Sequence, residues 1–202
     1  MYIRFQWKLT MARPSSKEEH IKQLRIAALE NGLEKGFQNL TMASVAKEAG
    51  ISVGTIYLYY KNKDELFASL FDYVQKACDQ HVLESLDTKI GVKDKFFYLC
   101  ESLCLFYLKH PLEFTFIEQY SNSSLSKGLF GAFSKDLEKQ FQLLYKESLS
   151  EGVVQKLPLV TITSLVHGSI VALVKKHHLG HTKVTKKMRD QLISLMWKAI
   201  AA

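Results

Sequence analysis

The sequence predicts an all-α fold, and three observations carry that prediction. Helix breakers are scarce, with 10 glycines and 3 prolines in 202 residues. Apolar residues recur at spacings of three and four over long stretches, the period of a helix with one buried face. The interruptions are short and carry capping residues (Ser, Thr, Asn) or glycine, which start and stop helices. A chain that is 47% hydrophobic and 23% charged folds rather than remaining disordered. Its length suffices for one large domain or two small ones. No apolar run approaches 18 residues, so no membrane span is expected. The opening MYIRFQWKLT lacks the apolar core and small-residue cleavage site of a secretory signal. Cys78, Cys100 and Cys104 form no C-x-x-C pair, which fits a reducing, cytoplasmic setting.

Residues 1–16 read as an N-terminal extension. A first helix is expected over 17–35, with Ser15 or Ser16 as its cap, Glu18 and Glu19 in the first turn where the helix dipole favours negative charge, and Ile21, Leu24, Ala28 and Leu29 as its apolar stripe. Gly36 is a left-handed stop with Phe37 packing back behind it. Thr41 caps a short second helix, about 42–49, that ends at Gly50. Ser52 caps a third, about 53–59. Asn62 caps a long fourth, about 63–85, with Glu65 completing a capping box. After Gly91 the segments 93–109, 111–121, 125–150, 158–177 and 185–201 are longer and more aromatic, for about nine helices in all. The domain boundary falls in the fourth helix, giving units of 17–65 and 66–202.

Two short helices joined at a tight glycine turn make a helix-turn-helix. Ala46 sits at their crossing, Gly50 where positive φ is required, and Val45, Ile51 and Ile56 form the seam. In such a pair the second helix offers its N-terminal end to the major groove. Here that end carries the hydroxyls of Ser52 and Thr55, Gly54 with no side chain to hold a duplex away, and Val53, suited to a thymine methyl. Tyr57, Tyr59, Tyr60, Lys61 and Lys63 follow within seven residues. Phenols can donate to phosphates while their rings pack on sugars, and lysines gain affinity through counterion release. Residues 1–75 hold ten Lys/Arg against eight Asp/Glu, a net of only +2 within a chain of net +7. DNA binding must therefore come from placed groups rather than bulk charge.

The stretch LTMASVAKEAGISVGTIYLYYKNKDELF, with EKGF before it, resembles the DNA-binding domain of the TetR/AcrR family of transcriptional regulators over about residues 20–70. The resemblance implies phosphate contacts from Thr41 and Ser44, base proximity for Val53, Gly54 and Tyr57, and a backbone grip by Thr55, Tyr59, Tyr60 and Lys63. It implies a homodimer on a palindromic operator of double-stranded DNA and release by a small-molecule effector. Two departures stand out: Gly32 where the family usually has an aromatic nearby, for which Leu33 or Phe37 can compensate, and Leu58 where an aromatic or polar residue is frequent.

The region beyond residue 93 shows no phosphate-binding glycine loop, no H-E-x-x-H and no nucleophile elbow, so no enzyme and no cofactor is expected. Its aromatic helices can build a core and enclose a largely apolar ligand. Candidate lining residues are Phe97, Cys100, Cys104, Phe114, Phe141 and Tyr145, with Glu118, Gln119, Asn122 and His167 as polar groups to orient the ligand. Gly168 and Ala172, four apart, permit close helix approach. Met188, Leu192, Leu195, Met196 and Ala199 make a C-terminal stripe, and the resemblance implies a dimer interface from these last two helices. His177, His178 and His181 lie in a loop rich in Lys and Arg, and no fourth ligand accompanies them, so a metal is not expected. The expected function is DNA-binding repression released by an effector. The alternatives are control of the same fold by a protein partner or by cysteine redox state.

Overall fold

The computed structural model describes residues 16–121 and 134–202. Its described residues form nine α-helices, α1 (Ser16–Lys35), α2 (Met42–Glu48), α3 (Val53–Tyr57), α4 (Lys63–Leu83), α5 (Val92–Lys109), α6 (Pro111–Ser121), α7 (Lys135–Ser150), α8 (Leu159–His178) and α9 (Lys186–Ile200), and one 3-10 turn (Phe37–Asn39). The fold is all-α, as expected. The predicted third helix is shorter than expected and ends at Tyr57. Residues 125–133 of the predicted 125–150 helix, and Asn122, lie outside the described residues. The chain divides into two compact units between Leu66 and Phe67.

In the first unit α1 packs on α2, and α2 on α3. Leu24, Ala28, Val45, Ala46 and Ile56 are fully buried between them. The short helices cannot be stable alone and depend on this packing and on their caps. Gly32 is the tightest point. A Cβ built there would lie 2.0 Å from the Phe37 ring, which folds back over α1 from behind Gly36, itself at φ 82°. Phe37 thus fills the space that the missing aromatic leaves, while Leu33 is exposed.

In the second unit α5 is the central helix, packed by α6, α7, α8 and α9. Its buried face runs Phe96, Leu99, Cys100, Leu103, Cys104, Phe106 and Tyr107. Phe67 and Phe71 of α4 meet Phe116 and Tyr120 of α6 as ring pairs with centroids 4.8–6.4 Å apart. Two ion pairs tie α5 to its neighbours: Lys95 to Glu147 of α7 at 2.7 Å, and Arg189 of α9 to Glu101 through Nε and Nη2 at 2.8–3.0 Å. The Ser134 hydroxyl caps α7 by accepting from Leu137 N–H and donates to Asp79 of α4. The segment after α7 is clipped to the end of α9: Gln155 N–H donates to Ile200 O (2.8 Å) and Ala202 N–H to Val153 O (3.1 Å).

By length and composition α8 is the one described helix apolar enough to cross a membrane, a test that a core helix also passes. Its polar residues (Thr161, Thr163, Ser164, His167, Ser169) interrupt every apolar run. Ile162, Val166, Ile170 and Val174 turn one side of it into the bundle.

Candidate nucleic-acid interface and effector region

The helix-turn-helix is closed by backbone chemistry. Gly50, at φ 70°, lets its N–H donate to Lys47 O (3.1 Å) and Ile51 N–H to Ala46 O (3.0 Å), the paired bonds of a Schellman stop. Ser52 then starts α3, its Oγ accepting from Thr55 N–H at 3.0 Å and bonding Thr55 Oγ1 at 2.8 Å. Thr41 and Ser44 form a reciprocal capping box on α2. Ser44 spends its hydroxyl proton on Thr41 O at 2.9 Å, whereas the Thr41 hydroxyl acts as an acceptor there and keeps its proton. These four hydroxyl residues therefore have a structural task at the helix starts, and all but Thr41 engage their hydroxyl groups further within the domain.

The remaining predicted reading residues separate by exposure. Val53 is 45% exposed, Tyr57 52% and Leu58 80%, and Gly54 faces solvent. Apolar side chains this open on a five-residue helix form a surface without an internal partner for its apolar area. Lys61 is exposed beside them. Tyr60 is not part of that surface. It is 5% exposed and belongs to the core, which corrects the expectation that its side chain grips the backbone. Lys63 is half-buried and donates to Gln38 O at 2.8 Å. Burial pulls its ammonium below the usual lysine range, partly offset by Asp64. Its ammonium thus holds the start of α4 to the 3-10 turn. Asn62 caps α4 as expected (Glu65 N–H to Oδ1, 2.9 Å), but the Glu65 carboxylate accepts from Lys61 N–H rather than from Asn62. Tyr59 is half-buried, and its hydroxyl bonds His20 Nδ1 at 2.9 Å. Sequence reading missed His20. Nothing in the pattern of α1 relates it to a residue 39 positions on.

In the second unit the predicted ligand residues do not all converge. Tyr107 gathers several: its hydroxyl lies 3.4 Å from His167 Nε2, its ring 5.3 Å from Phe114, and its carbonyl oxygen 2.9 Å from His178 Nε2. Cys100 and Cys104 lie on the same buried face of α5, and Phe141 is buried on α7. Burial lowers His167 to about 4, so it is a neutral imidazole at neutral pH. Glu118 is half-buried, pairs with Lys175 at 3.5 Å, and its charge adds to burial in holding the Tyr107 phenol protonated. Gln119 is exposed, because α6 turns it away from Tyr120 and Ile117. Phe97 lies half-exposed under Lys93 Nζ, 5.8 Å from the ring centroid. Tyr145 of α7 donates to Leu157 O in the segment that follows that helix. The inward polar pair is therefore Tyr107 and His167; of the expected polar groups the exposed Gln119 is corrected out, and of the expected lining residues Phe97 stands half-exposed. The three thiols are buried. Burial raises Cys78 and Cys100 well above the ordinary thiol range, and burial with Glu101 nearby pushes Cys104 up to about 12. Thiols held protonated are poor nucleophiles, so cysteine redox control is not favoured.

Of the predicted dimer stripe, Gly168, Ala172, Leu195 (63% exposed) and Ala199 face solvent, and Met188 and Leu192 are half-exposed. Val160 and Leu165 extend that face along α8. Met196 is 2% exposed and packs inward with Ile193 and Ile200, a correction that follows from its position one residue round the helix from Leu195.

A capped, exposed reading helix on one unit, followed by an aromatic helical unit, defines a helix-turn-helix transcriptional regulator. Residues 27–70 match bacterial regulatory proteins of the tetR family, and residues 91–201 match the tetracyclin repressor-like C-terminal domain. The chain belongs to the TetR family; it is a DNA-binding transcriptional regulator and not an enzyme. It is 35% identical over 81 residues to the fatty acid metabolism regulator protein of Bacillus subtilis, a match covering 39% of this chain and 42% of that one. It is 21% identical over 171 residues to the nucleoid occlusion factor SlmA of Vibrio atlanticus, covering 81% and 86%. The chain thus spans less than half the length of the Bacillus subtilis relative. Among solved structures, a TetR family regulator from Marinobacter aquaeolei superposes with a TM-score of 0.77 (19% identity, 92% of this chain and 97% of that one). The fatty acid degradation regulator FadR of Bacillus halodurans does so with 0.75 (19% identity, 92% and 97%). At these identities the structures speak to the fold.

Proposed function

We propose that this regulator is a cytoplasmic repressor that binds a palindromic operator as a homodimer and is released by a largely apolar small molecule. The observation that carries the reading is the exposure of Val53, Gly54 and Tyr57 along the short helix α3. Val53 and Tyr57 meet base edges and Gly54 admits the duplex. Thr41, Tyr59, Lys61, Lys63 and the hydroxyl proton left over by the Ser52–Thr55 pair hold the flanking phosphates, while Ser44, its hydroxyl proton spent on Thr41 O, serves in the cap. One such helix reads too few base pairs for specificity. Two, carried by a dimer on half-sites about 34 Å or a multiple of it apart, read enough. The exposed face of α8 and α9, with Gly168 and Ala172 allowing close approach, is the surface that dimerises.

The effector site lies around Tyr107, His167, Phe114, Cys100, Cys104 and Phe141. Its inward polar groups are neutral, which suits an apolar molecule with one hydrogen-bonding group. Two similar proteins are named for fatty acid metabolism, and a fatty acyl chain belongs to this class. α4 begins in the first unit and continues into the second, so an effector that prefers one placement of α4 weakens operator binding, and by linkage the operator weakens effector binding equally.

The test is operator selection from a random duplex library, followed by affinity measurement with and without saturating fatty acids and their esters. A palindromic winner whose affinity falls with added ligand supports the reading. A winner without two-fold symmetry sinks the dimer arrangement, and affinity indifferent to every apolar ligand sinks the effector class.

A further inference from the structure

The fold sets one residue against the reading face that no motif marks. His20, in the second turn of α1, lies 2.9 Å by Nδ1 from the Tyr59 hydroxyl oxygen, with ring centroids 6.0 Å apart and planes tilted by 59°. Both residues are half-buried, and both neighbours of Tyr59 in sequence have settled roles: Leu58 open to solvent and Tyr60 in the core. The polarity of the His20–Tyr59 bond decides what the phenol can do outside the protein. If Nδ1 offered a lone pair, the phenol proton would point inward and Tyr59 would present only lone pairs outward, the wrong sign for a phosphate. If Nδ1 carries hydrogen, it donates to the phenol oxygen and the phenol proton is left to point out. Either the Nδ1–H tautomer or the imidazolium does this.

We propose that His20 is a positioning residue for DNA binding, whose Nδ1–H holds the Tyr59 phenol oxygen so that the phenol proton donates to a backbone phosphate. The bond also fixes the Tyr59 ring before DNA arrives, which spares part of the ordering cost of binding. A phosphate near the phenol in turn favours the imidazole state with hydrogen on Nδ1, so the two bonds reinforce each other. The inference rests on the reading above that Tyr59 grips the duplex backbone.

Because the phosphate contact is blind to sequence, a labelled duplex of about 30 base pairs and arbitrary sequence at low salt is a sufficient probe. The chain and its Tyr59→Phe, His20→Phe, His20→Asn and doubly substituted (His20→Phe with Tyr59→Phe) variants are titrated by fluorescence anisotropy, with melting temperatures measured in parallel. Tyr59→Phe is expected to weaken binding about tenfold, the loss of a hydrogen bond to a charged group. His20→Phe is expected to weaken it by a similar factor, and the double variant to be no weaker than either. His20→Asn, whose Nδ2–H sits where Nδ1–H was, is expected to recover most of the loss. A role confined to folding predicts losses that follow melting temperature and no recovery by asparagine. If Tyr59→Phe weakens binding while His20→Phe is silent, or its loss adds in full to that of Tyr59→Phe, the inference is overturned and the Tyr59 reading stands. If Tyr59→Phe is itself silent, the phosphate reading fails and the inference falls with it.

Discussion

Single side chains build the first unit, and the proposed function gives some of them a second task in DNA contact. Gly32 and Gly50 illustrate the first task for opposite reasons. At Gly32 the backbone is ordinary but the Phe37 ring occupies the place of a Cβ, so Gly32→Ala forces either the ring or the helix to move. It is expected to cost about 1–3 kcal/mol in denaturant unfolding. At Gly50 there is open space, and only the left-handed backbone matters. Gly50→Ala is expected to cost about 1–2 kcal/mol. Lys61 and Lys63, two positions apart, separate in the same way. Lys61→Ala should leave the melting temperature unchanged while lowering the slope of log affinity against log salt by about 0.9 per subunit. Lys63→Ala should also lower the melting temperature, because Gln38 O loses its donor. Equal thermal effects from the two lysines would contradict the distinction.

Among the elements, α5 and α8 carry the chemistry of the second unit. His167 of α8 titrates at about 4 when folded, against an ordinary value of 6.5, because burial opposes its charge. Between these values the unfolded chain binds more protons, so stability rises with pH through this window. It is complete above about pH 6.5 and lost progressively as pH falls toward 4, by up to about 3 kcal/mol. His167→Gln should flatten that part of the stability–pH curve, as read by unfolding at several pH values. The thiols of α4 and α5 supply a second check. Held protonated and buried, Cys78, Cys100 and Cys104 should react with a thiol reagent far more slowly in the native protein than in denaturant at the same pH. Rapid labelling of the native protein would return redox control to consideration.

For the whole molecule the central prediction concerns assembly. A charge at Leu195, on the exposed side of α9, should not disturb the core, since the inward position beside it is Met196. Leu195→Glu is therefore expected to leave the melting temperature of the isolated chain near its original value. It should yield monomers by sedimentation and lose most of the operator affinity, because one reading helix replaces two. A Leu195→Glu protein that remains dimeric would remove α9 from the interface.

How much of this was legible in the sequence follows from the range of the forces involved. Helix existence, caps and the helix-turn-helix are local matters. Thr41, Ser52 and Asn62 declare helix starts, and Gly50 declares a stop, within four residues of the bonds they make. Periodicity then says which face of each helix is apolar, but not whether that face meets this chain or another. Met196 and Leu195 are equally apolar neighbours, and only packing sends one inward and leaves the other outward. Tyr59 and Tyr60 look alike on paper, and it is the turn after α3 that buries Tyr60 and delivers Tyr59 to His20. The sequence by itself determined an all-helical chain with a reading motif near its start. The tertiary structure alone decided which aromatic, thiol and basic groups serve the core and which stay available, because burial and charge pairing depend on neighbours distant along the chain.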